Sequence, residues 1–200
     1  NKIECTLSIF GSNKSVAEML IMQTGRAILE NAGWKNTSIK INSVGNKESV
    51  ADFEKRTATF LRKHFNEFPS ELRQLAKKDS FSLLRAKDEK YKEWREAAPQ
   101  SIDSLSEEGR LHFKEILEFL ETLDIPYEMD CGILGDISIA TDTVFEIVSE
   151  DGEVLAEGMR YNRLSKKLQL KKELPAVELV IKAKAYKKQS FLPMKEIKPK

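Results

Sequence analysis

Residue types that often do catalytic or metal chemistry are sparse in this sequence. Cys5 and Cys131 have neither the spacing of metal ligands nor the number needed for a disulfide framework. His64 and His112 lie far apart, and neither has a second histidine or a cysteine close by in sequence. Metal sites need ligands that converge, so we predict no metal site and two reduced thiols in a cytoplasmic protein.

Charge is distributed unevenly along the chain, although the formal net charge is only +1. Residues 166–200 contain eleven lysines against three glutamates and no aspartate or arginine, a net charge of +8, which leaves −7 for residues 1–165. A basic tail on a mildly acidic body favours contact with a polyanion such as RNA. A tail that is only solvated, or partly disordered, is the alternative interpretation.

Alternation of apolar and polar residues predicts the strands that would position any functional residue. Asp151-Gly152 lies between two alternating runs and predicts a hairpin that joins strands at residues 143–148 and 154–159. Ser38 to Asn42 is predicted as a short strand that ends in the turn Asn42-Ser43-Val44-Gly45. Further strands are predicted at residues 3–10 and 177–185.

Helical spacing of apolar residues predicts the remaining elements. One helix is predicted from Val16 to Asn31, and a second begins near Ser106 and stops at Ile125-Pro126. Residues 49–96 combine helical spacing with dense charge and a break at Pro69, which is typical of a small helical subdomain. The predicted fold class is therefore α+β, with an antiparallel sheet flanked by helices and a helical subdomain inserted into it.

The sequence shows no sign of a membrane segment or of a secretory signal. No apolar run approaches the roughly 18 to 20 residues that a membrane-spanning helix needs. The composition, 40% hydrophobic and 32% charged, is typical of a soluble globular protein. The sequence starts at Asn1 rather than Met, which suggests that an upstream segment was removed or left out.

Several stretches occur in the order that is typical of one known family. IKINSVGNKESVADFEKRTATFLRKHF, FSLLRAKDEK and APQSIDSLSEEGRLHFKEILEFLETLDIPYE are followed by DTVFEIV, GMRYNRL and LPAVELVI. They resemble, in turn, the Asn-Ser-x-Gly turn, the inserted domain and its returning helix, the TVFE strand, the GGRYDGL segment and the third motif of histidyl-tRNA synthetases. The resemblance to this class II aminoacyl-tRNA synthetase family covers residues 1–186.

The resemblance implies a domain plan and a class II synthetase-like sheet. Residues 1–47 and 119–186 would form the two parts of the synthetase-like core. Residues 48–118 would form the helical insertion, and residues 187–200 a basic tail.

The positions that carry the family's chemistry hold other residues in this sequence. Counted back from Thr143, the family's Arg-Gly-Leu-Asp-Tyr-Tyr loop falls on residues 135–140. The resemblance therefore implies that Gly135 replaces the catalytic arginine, and that Ser138, Ile139 and Ala140 occupy positions of the histidine pocket. The Gln and Glu that end the family's second motif fall on Glu4 and Ser8. From the local motifs, only Arg160 and Tyr161 persist.

The third motif departs in the same way, since Lys184 and Ala185 stand where the family has a Glu-Arg pair. Class II synthetases use fixed arginines and magnesium to offset the negative charge that develops during amino-acid activation. We therefore predict a degenerate or truncated paralogue without aminoacylation activity and without a cofactor, acting as an RNA- or protein-binding or regulatory protein.

An alternative is a fragment or subunit of a working histidine-tRNA ligase, and ATP and magnesium would bind only if another segment completed the site. A new enzyme on the old scaffold could recruit Asp130, Asp136 and Asp142, although loop residues that face water explain these aspartates more simply.

If RNA is the partner, basic residues in two regions are candidates for phosphate contacts, which position RNA without reading its sequence. A protein partner or a homodimer is the alternative, and the insertion's many carboxylates would fit a mixed solvated face equally well. The candidates are Arg73, Lys77, Lys78, Arg85 and Lys87 in the insertion, and Lys166, Lys167, Lys171, Lys172, Lys187 and Lys188 in the tail.

Overall fold

Six strands build one sheet in a computed structural model that describes residues 2–86, 88–162, 164, 169 and 174–184. The sheet has the order β1-β6-β5-β4-β2-β3. The strands are β1 (Lys2–Phe10), β2 (Ser38–Gly45), β3 (Tyr127–Met129), β4 (Thr141–Val148), β5 (Val154–Arg160) and β6 (Ala176–Lys184).

The sheet is antiparallel except at one edge, where β3 pairs in parallel with β2. The predicted fold class, α+β with an antiparallel sheet flanked by helices, is confirmed, and the short parallel pair at this edge is a detail that the sequence did not predict. The turn predicted at residues 42–45 is also wrong, because β2 continues to Gly45 through a shift in register against β4. Gly45 has a φ of 70°, in the left-handed region that glycine tolerates, so the strand bends there without a true turn.

The hairpin predicted around Asp151-Gly152 is confirmed. Strands β4 and β5 are antiparallel neighbours in which Phe145 lies opposite Gly158. The connecting loop closes through two backbone hydrogen bonds, from the Ser149 amide to the Glu153 carbonyl oxygen and from the Gly152 amide to the Ser149 carbonyl oxygen.

Two long helices, α1 (Val16–Asn31) and α6 (Glu107–Thr122), cover one face of the sheet, as their apolar stripes predict. The Ser106 side chain caps α6 by accepting a hydrogen bond from the Gly109 amide. Gly25 lets α1 approach β6 closely, since a Cβ at that position would lie 2.2 Å from Leu179 Cδ2. The core on this face includes Met22, Leu29, Ile39, Ile41, Ile116, Leu120, Ile147, Leu179 and Ile181.

The described part of the helical insertion has four α-helices, two short 3-10 helices and its own apolar core. The α-helices are α2 (Lys47–His64), α3 (Ser70–Lys78), α4 (Ser82–Arg85) and α5 (Lys92–Ala97). Phe53 stacks on Phe81, and Phe68 meets Trp94 edge to face with ring centroids 4.8 Å apart. This second core also includes Val144 of β4, so the insertion packs against one end of the sheet.

The predicted domain boundary at residue 118 lies within α6, and this helix packs on the sheet through Phe113, Ile116 and Leu120. The domain boundaries stay predictions.

No helix among the described residues is long and apolar enough to cross a membrane. The predicted contacts at Lys87, Lys166, Lys167, Lys171, Lys172, Lys187 and Lys188, and the tail itself, lie outside the described residues.

Candidate functional site

The face of the sheet opposite α1 and α6 carries an open cavity of about 460 Å³. Its floor comes from alternate residues of β4, β5 and β6, because successive side chains of a strand point to opposite faces. One wall is the loop at residues 132–136, and Arg85 from the end of α4 reaches the rim. The lining includes the charged residues Arg85, Asp136, Glu146, Glu157, Glu178 and Lys182.

Carboxylates dominate the floor of this cavity. Glu146 and Glu157 lie directly opposite each other in the β4–β5 register. Like charges at directly opposed positions destabilise a sheet and raise the negative potential between them. Among the described residues that line the cavity, four carboxylates stand against two cations, and their formal charges sum to −2.

Glu178 brings two predicted pocket residues together. Its Oε2 accepts hydrogen bonds from Ser8 Oγ and from Tyr161 Oη, both at 3.1 Å. Burial and the neighbouring Glu178 carboxylate raise the pKa of Tyr161 to about 12. Tyr161 therefore stays a neutral hydrogen-bond donor over the physiological range. Glu4, from β1, lies opposite Lys182 in the β1–β6 register.

Gly135 lies on the cavity wall, at the position that the resemblance assigns to the catalytic arginine. Its φ of 57° lies in the left-handed region, and a Cβ there would lie 3.1 Å from Val144 Cγ1. A side chain at this position is therefore disfavoured by the backbone conformation as well as by crowding.

The guanidinium at the cavity rim belongs to Arg85, which is already engaged. Its Nη1 donates to Asp79 Oδ2 at 2.6 Å, and its Nη2 donates to the Gly135 carbonyl oxygen at 3.4 Å. Arg85 was predicted as an RNA contact, and the structure places it at the cavity instead of on α3 with Arg73, Lys77 and Lys78. Its role in RNA binding stays a prediction.

The other predicted positions of this loop do not line the cavity. The loop turns tightly, since the amides of Ile139 and Ala140 both donate to the Asp136 carbonyl oxygen. Ala140 is buried in the second core, and Ser138 is exposed. Of these loop positions, Gly135 is the predicted residue that the structure brings to the cavity.

Arg160 lies on the other side of the sheet and is fully buried. Its Nε donates to Glu18 Oε1 at 2.6 Å, and its Nη2 donates to Glu18 Oε2 at 2.5 Å. Its remaining donors reach the carbonyl oxygens of Ser12 and Lys14, at the start of α1. Arg160 therefore ties β5 to α1, and in this structure it has no part in the cavity.

Sequence reasoning missed the rest of this buried cluster. His112 Nε2 lies 2.8 Å from Glu18 Oε1. Although burial alone would raise it, the hydrogen bonds from Arg160 and His112 hold the pKa of Glu18 below its usual value. Burial raises the pKa of nearby Asp142. In the sequence, this cluster could have been suspected only from Glu18, a glutamate on the apolar side of α1 beside Ala17, Ile21 and Met22.

The described residues offer no group of three or more histidine, cysteine, aspartate or glutamate side chains that could hold a metal ion. On α3, Arg73 Nε is buried and finds no hydrogen-bond partner within the described part of the chain. Lys77 Nζ lies 5.6 Å from the centroid of the Phe65 ring.

Comparison of the sequence with known proteins matches no family model. It does match histidine–tRNA ligases. The sequence is 26% identical over 165 residues to the enzyme of Lactiplantibacillus plantarum, covering 80% of this chain and 39% of that protein. It is 28% identical over 166 residues to the enzyme of Latilactobacillus sakei, covering 80% of this chain and 38% of that protein. The chain thus spans about two fifths of the length of these curated relatives.

Solved structures show the same fold. Apo histidyl-tRNA synthetase of S. aureus superposes with a TM-score of 0.66 at 20% identity, over 90% of this chain and 44% of that one. A Bacillus halodurans protein named ATP phosphoribosyltransferase regulatory subunit/histidyl-tRNA synthetase superposes with a TM-score of 0.58 at 16% identity, over 90% of this chain and 51% of that one. Over four fifths of its length this chain is similar in sequence to histidine–tRNA ligases, and over nine tenths it has the fold of solved histidyl-tRNA synthetases.

Proposed function

We propose that this chain does not activate histidine, and that it acts as a binding or regulatory protein built on the histidyl-tRNA synthetase fold. The observation that supports this most directly is the charge of the cavity, where four carboxylates line the walls against two cations. ATP is itself strongly anionic, so a cavity with a formal charge of −2 repels it.

The residues present do not fit ATP and the negative transition state of adenylate formation. Gly135 has no side chain to donate, and Arg160 is fully used in holding Glu18 and the start of α1. Arg85 supplies a guanidinium to the cavity, but Asp79 Oδ2 lies 2.6 Å from its Nη1 and offsets its charge. Preorganised donors aimed at the developing charge supply much of the catalysis in such sites. Among the described lining residues, Lys182 is the cation that remains without a described ion pair, and it replaces none of the family's arginines.

Pyrophosphate exchange tests this proposal. We expect no exchange that depends on both histidine and ATP above a control without enzyme, with histidyl-tRNA synthetase from a relative as the positive control. Exchange clearly above the blank would contradict the proposal, because it would require a working adenylation site.

RNA is the partner that we propose, with its phosphates contacting basic residues. Arg73, Lys77 and Lys78 lie together on α3, in the insertion. The curated relatives act on a tRNA by name, and residues 166–200 add a net charge of +8. A cytoplasmic location follows from the same proposal. Phosphate contacts release counterions, so RNA affinity should fall steeply with salt and depend little on sequence.

A polarisation assay at two salt concentrations, on the full chain and on a variant that lacks residues 186–200, measures this. The truncation removes five lysines and one glutamate. We expect weaker binding and a shallower salt dependence for the truncated chain. Equal affinities and equal slopes would exclude the tail as the RNA contact, and absence of binding to any RNA would favour a protein partner.

A second candidate function is that of a subunit completed by another segment, and the sheet edge favours it. Strand β1 is the outermost strand, so one row of its backbone groups has no strand partner among the described residues. Phe10, Val16 and Leu20, at the end of β1 and the start of α1, are more than half exposed. A second chain that supplies the N-terminal half of a histidyl-tRNA synthetase should then restore exchange on mixing, while each chain alone stays silent.

A further inference from the structure

A second open cavity, of about 650 Å³, lies between helices α2 and α3 of the insertion and is separate from the cavity over the sheet. Leu61, Phe65 and two alanines give it an apolar floor. Lys55 and Arg62, two turns apart on α2, stand at its rim and are exposed. An apolar floor beside two cations fits a ligand that has a flat apolar part and an anionic part.

The described residues that line this cavity carry charge of one sign. They include Lys55 and Arg62 but no aspartate or glutamate. Neither cation forms an ion pair with a described residue. Lys77 adds a third positive charge beside the cavity, since its Nζ lies 5.6 Å from the Phe65 ring centroid. A phosphate group entering here would meet cations that form no ion pair with a carboxylate in the described part of the chain.

Two of the three carboxylates that adjoin lining residues in sequence have a described partner. Glu67 Oε2 lies 2.9 Å from His64 Nδ1, and Asp79 Oδ2 lies 2.6 Å from Arg85 Nη1. Glu54 does not line the cavity, but it lies one turn before Ala58 on α2 and adds an exposed carboxylate near it.

We propose that the cavity between α2 and α3 binds a nucleotide unit, with its phosphate at Lys55 and Arg62 and its base against Leu61 and Phe65. The same chemistry occurs in a free mononucleotide and in a single-stranded RNA. Apolar and aromatic surfaces accept a base of any sequence, and a cationic groove follows the backbone. The RNA form rests on the RNA binding proposed above, whereas the mononucleotide form is independent of it.

Charge reversal on α2 provides the test, with labelled oligo(U) of ten nucleotides as the probe in a polarisation assay. Arg62→Glu and Lys55→Glu should each weaken binding by about tenfold, the effect of losing one charge-assisted contact. Lys63→Glu is the matched control, because Lys63 is exposed on the same helix, carries the same charge and does not line the cavity. It should weaken binding by less than about threefold, through long-range electrostatics alone.

Changes in amide chemical shifts on addition of AMP distinguish a site for a free mononucleotide from a site for single-stranded RNA. Shifts centred on Ala58, Asn66 and Ser80 support a mononucleotide site, and binding of oligo(U) without AMP shifts, still sensitive to Arg62→Glu, supports single-stranded RNA. Equal effects of all three charge reversals overturn the proposal, as does an AMP response confined to Gly132–Asp136 of the sheet cavity. Oligoglutamate that binds as tightly as oligo(U) also overturns it, because charge alone would then suffice.

Pyrophosphate exchange is measured separately, so failure of the nucleotide site and failure of the proposed function are distinguishable. Melting curves of the three charge variants, followed by circular dichroism, confirm that each has folded.

Discussion

The two faces of the sheet handle charge in opposite ways. On the face that α1 and α6 cover, Arg160 and Glu18 are fully buried and each is satisfied by the other. On the open face, Glu146 and Glu157 oppose each other beside a cavity. The buried face tolerates charge only as complete pairs, whereas water screens the open face. Stability therefore depends on the charge pair of the first face, whereas the charged residues at the open cavity can change at little cost.

The largest effect should come from breaking the buried pair. Arg160→Met leaves the Glu18 carboxylate buried with His112 as its remaining partner, and we expect a loss of about 3–5 kcal/mol in the free energy of unfolding. Urea denaturation measures it. The matched control Lys182→Met, on the exposed cavity face, should change stability by no more than about 0.5 kcal/mol. Equal losses in both variants would remove the distinction between the faces.

The double variant Glu18→Leu with Arg160→Met sharpens the same point. It removes both charges at once, so we expect it to recover much of the loss seen in Arg160→Met. A double variant as unstable as the single one would show that the other hydrogen bonds of Arg160, to Ser12 and Lys14, carry the effect.

Packing on the buried face should be nearly as sensitive. A Cβ on Gly158 would lie 2.2 Å from Phe145 Cζ. We expect Gly158→Ala to cost about 1–3 kcal/mol, because the ring must move within a filled core. In a Phe145→Leu background the same substitution should cost less, and thermal melting of the four proteins of this cycle measures the difference. An unchanged cost would mean that the strand backbone, and not the ring, limits the site.

Restoring the family's arginine on the open face should cost stability without giving activity. We expect Gly135→Arg to lose about 1–2 kcal/mol, since its backbone is left-handed. Gly135→Ala should lose a similar amount of stability, because the cost comes from the left-handed backbone and from the added Cβ. Pyrophosphate exchange should stay at the blank in both. Activity in Gly135→Arg alone would show that a single replacement had silenced the site.

The response to acid should also come from the buried face. The folded-state pKa of Glu18 is lowered, so its contribution to stability is present above the unfolded pKa and is lost as pH falls through the folded value. We expect the free energy of unfolding to fall below about pH 5, and to fall less steeply in Glu18→Gln.

Asp142 provides a contrast of opposite sign. Burial raises its pKa, so its protonated form favours folding at low pH and this contribution is lost as pH rises. Asp142→Asn should therefore not destabilise the protein at pH 7, which equilibrium unfolding at pH 5 and pH 7 can check. A marked loss at pH 7 would show that the ionised carboxylate is needed.

The smallest effect should be a gain on the open face. Glu157→Gln removes one of two opposed negative charges, and we expect a stabilisation of up to about 0.5 kcal/mol at low salt. High salt should abolish it, because screening already weakens the repulsion. A loss of stability would indicate that Glu157 has a favourable contact that outweighs the repulsion from Glu146.

Sequence periodicity predicted the helices at Val16–Asn31 and Glu107–Thr122 and the β4–β5 hairpin because each depends on local pattern and turn chemistry. It failed where structure depends on distant neighbours. The parallel strand β3 has only three residues, too few to show a period. The bulge in β2 depends on pairing with β4.

The candidate site was also predicted only in part. The resemblance directed attention to Gly135, which does line the cavity, and to Arg160, which the structure places on the other face. Arg160 and Glu18 lie far apart in sequence, and nothing local shows that they meet. The cavity between α2 and α3 was also invisible, because two helices create it only when they pack together.

The pairing of β1 with β6 joins the earliest described residues to the latest, since Lys2 lies opposite Lys184. Among the described strands β6 is the neighbour of β1, so on a translating ribosome these two strands can pair only when almost the whole described chain has been made. A nine-residue strand with apolar residues on one side is a target for chaperones and for wrong pairing during that delay. We infer that contacts between distant parts of the chain make this sheet slow to form, whereas the helical insertion, with its local contacts, can collapse early.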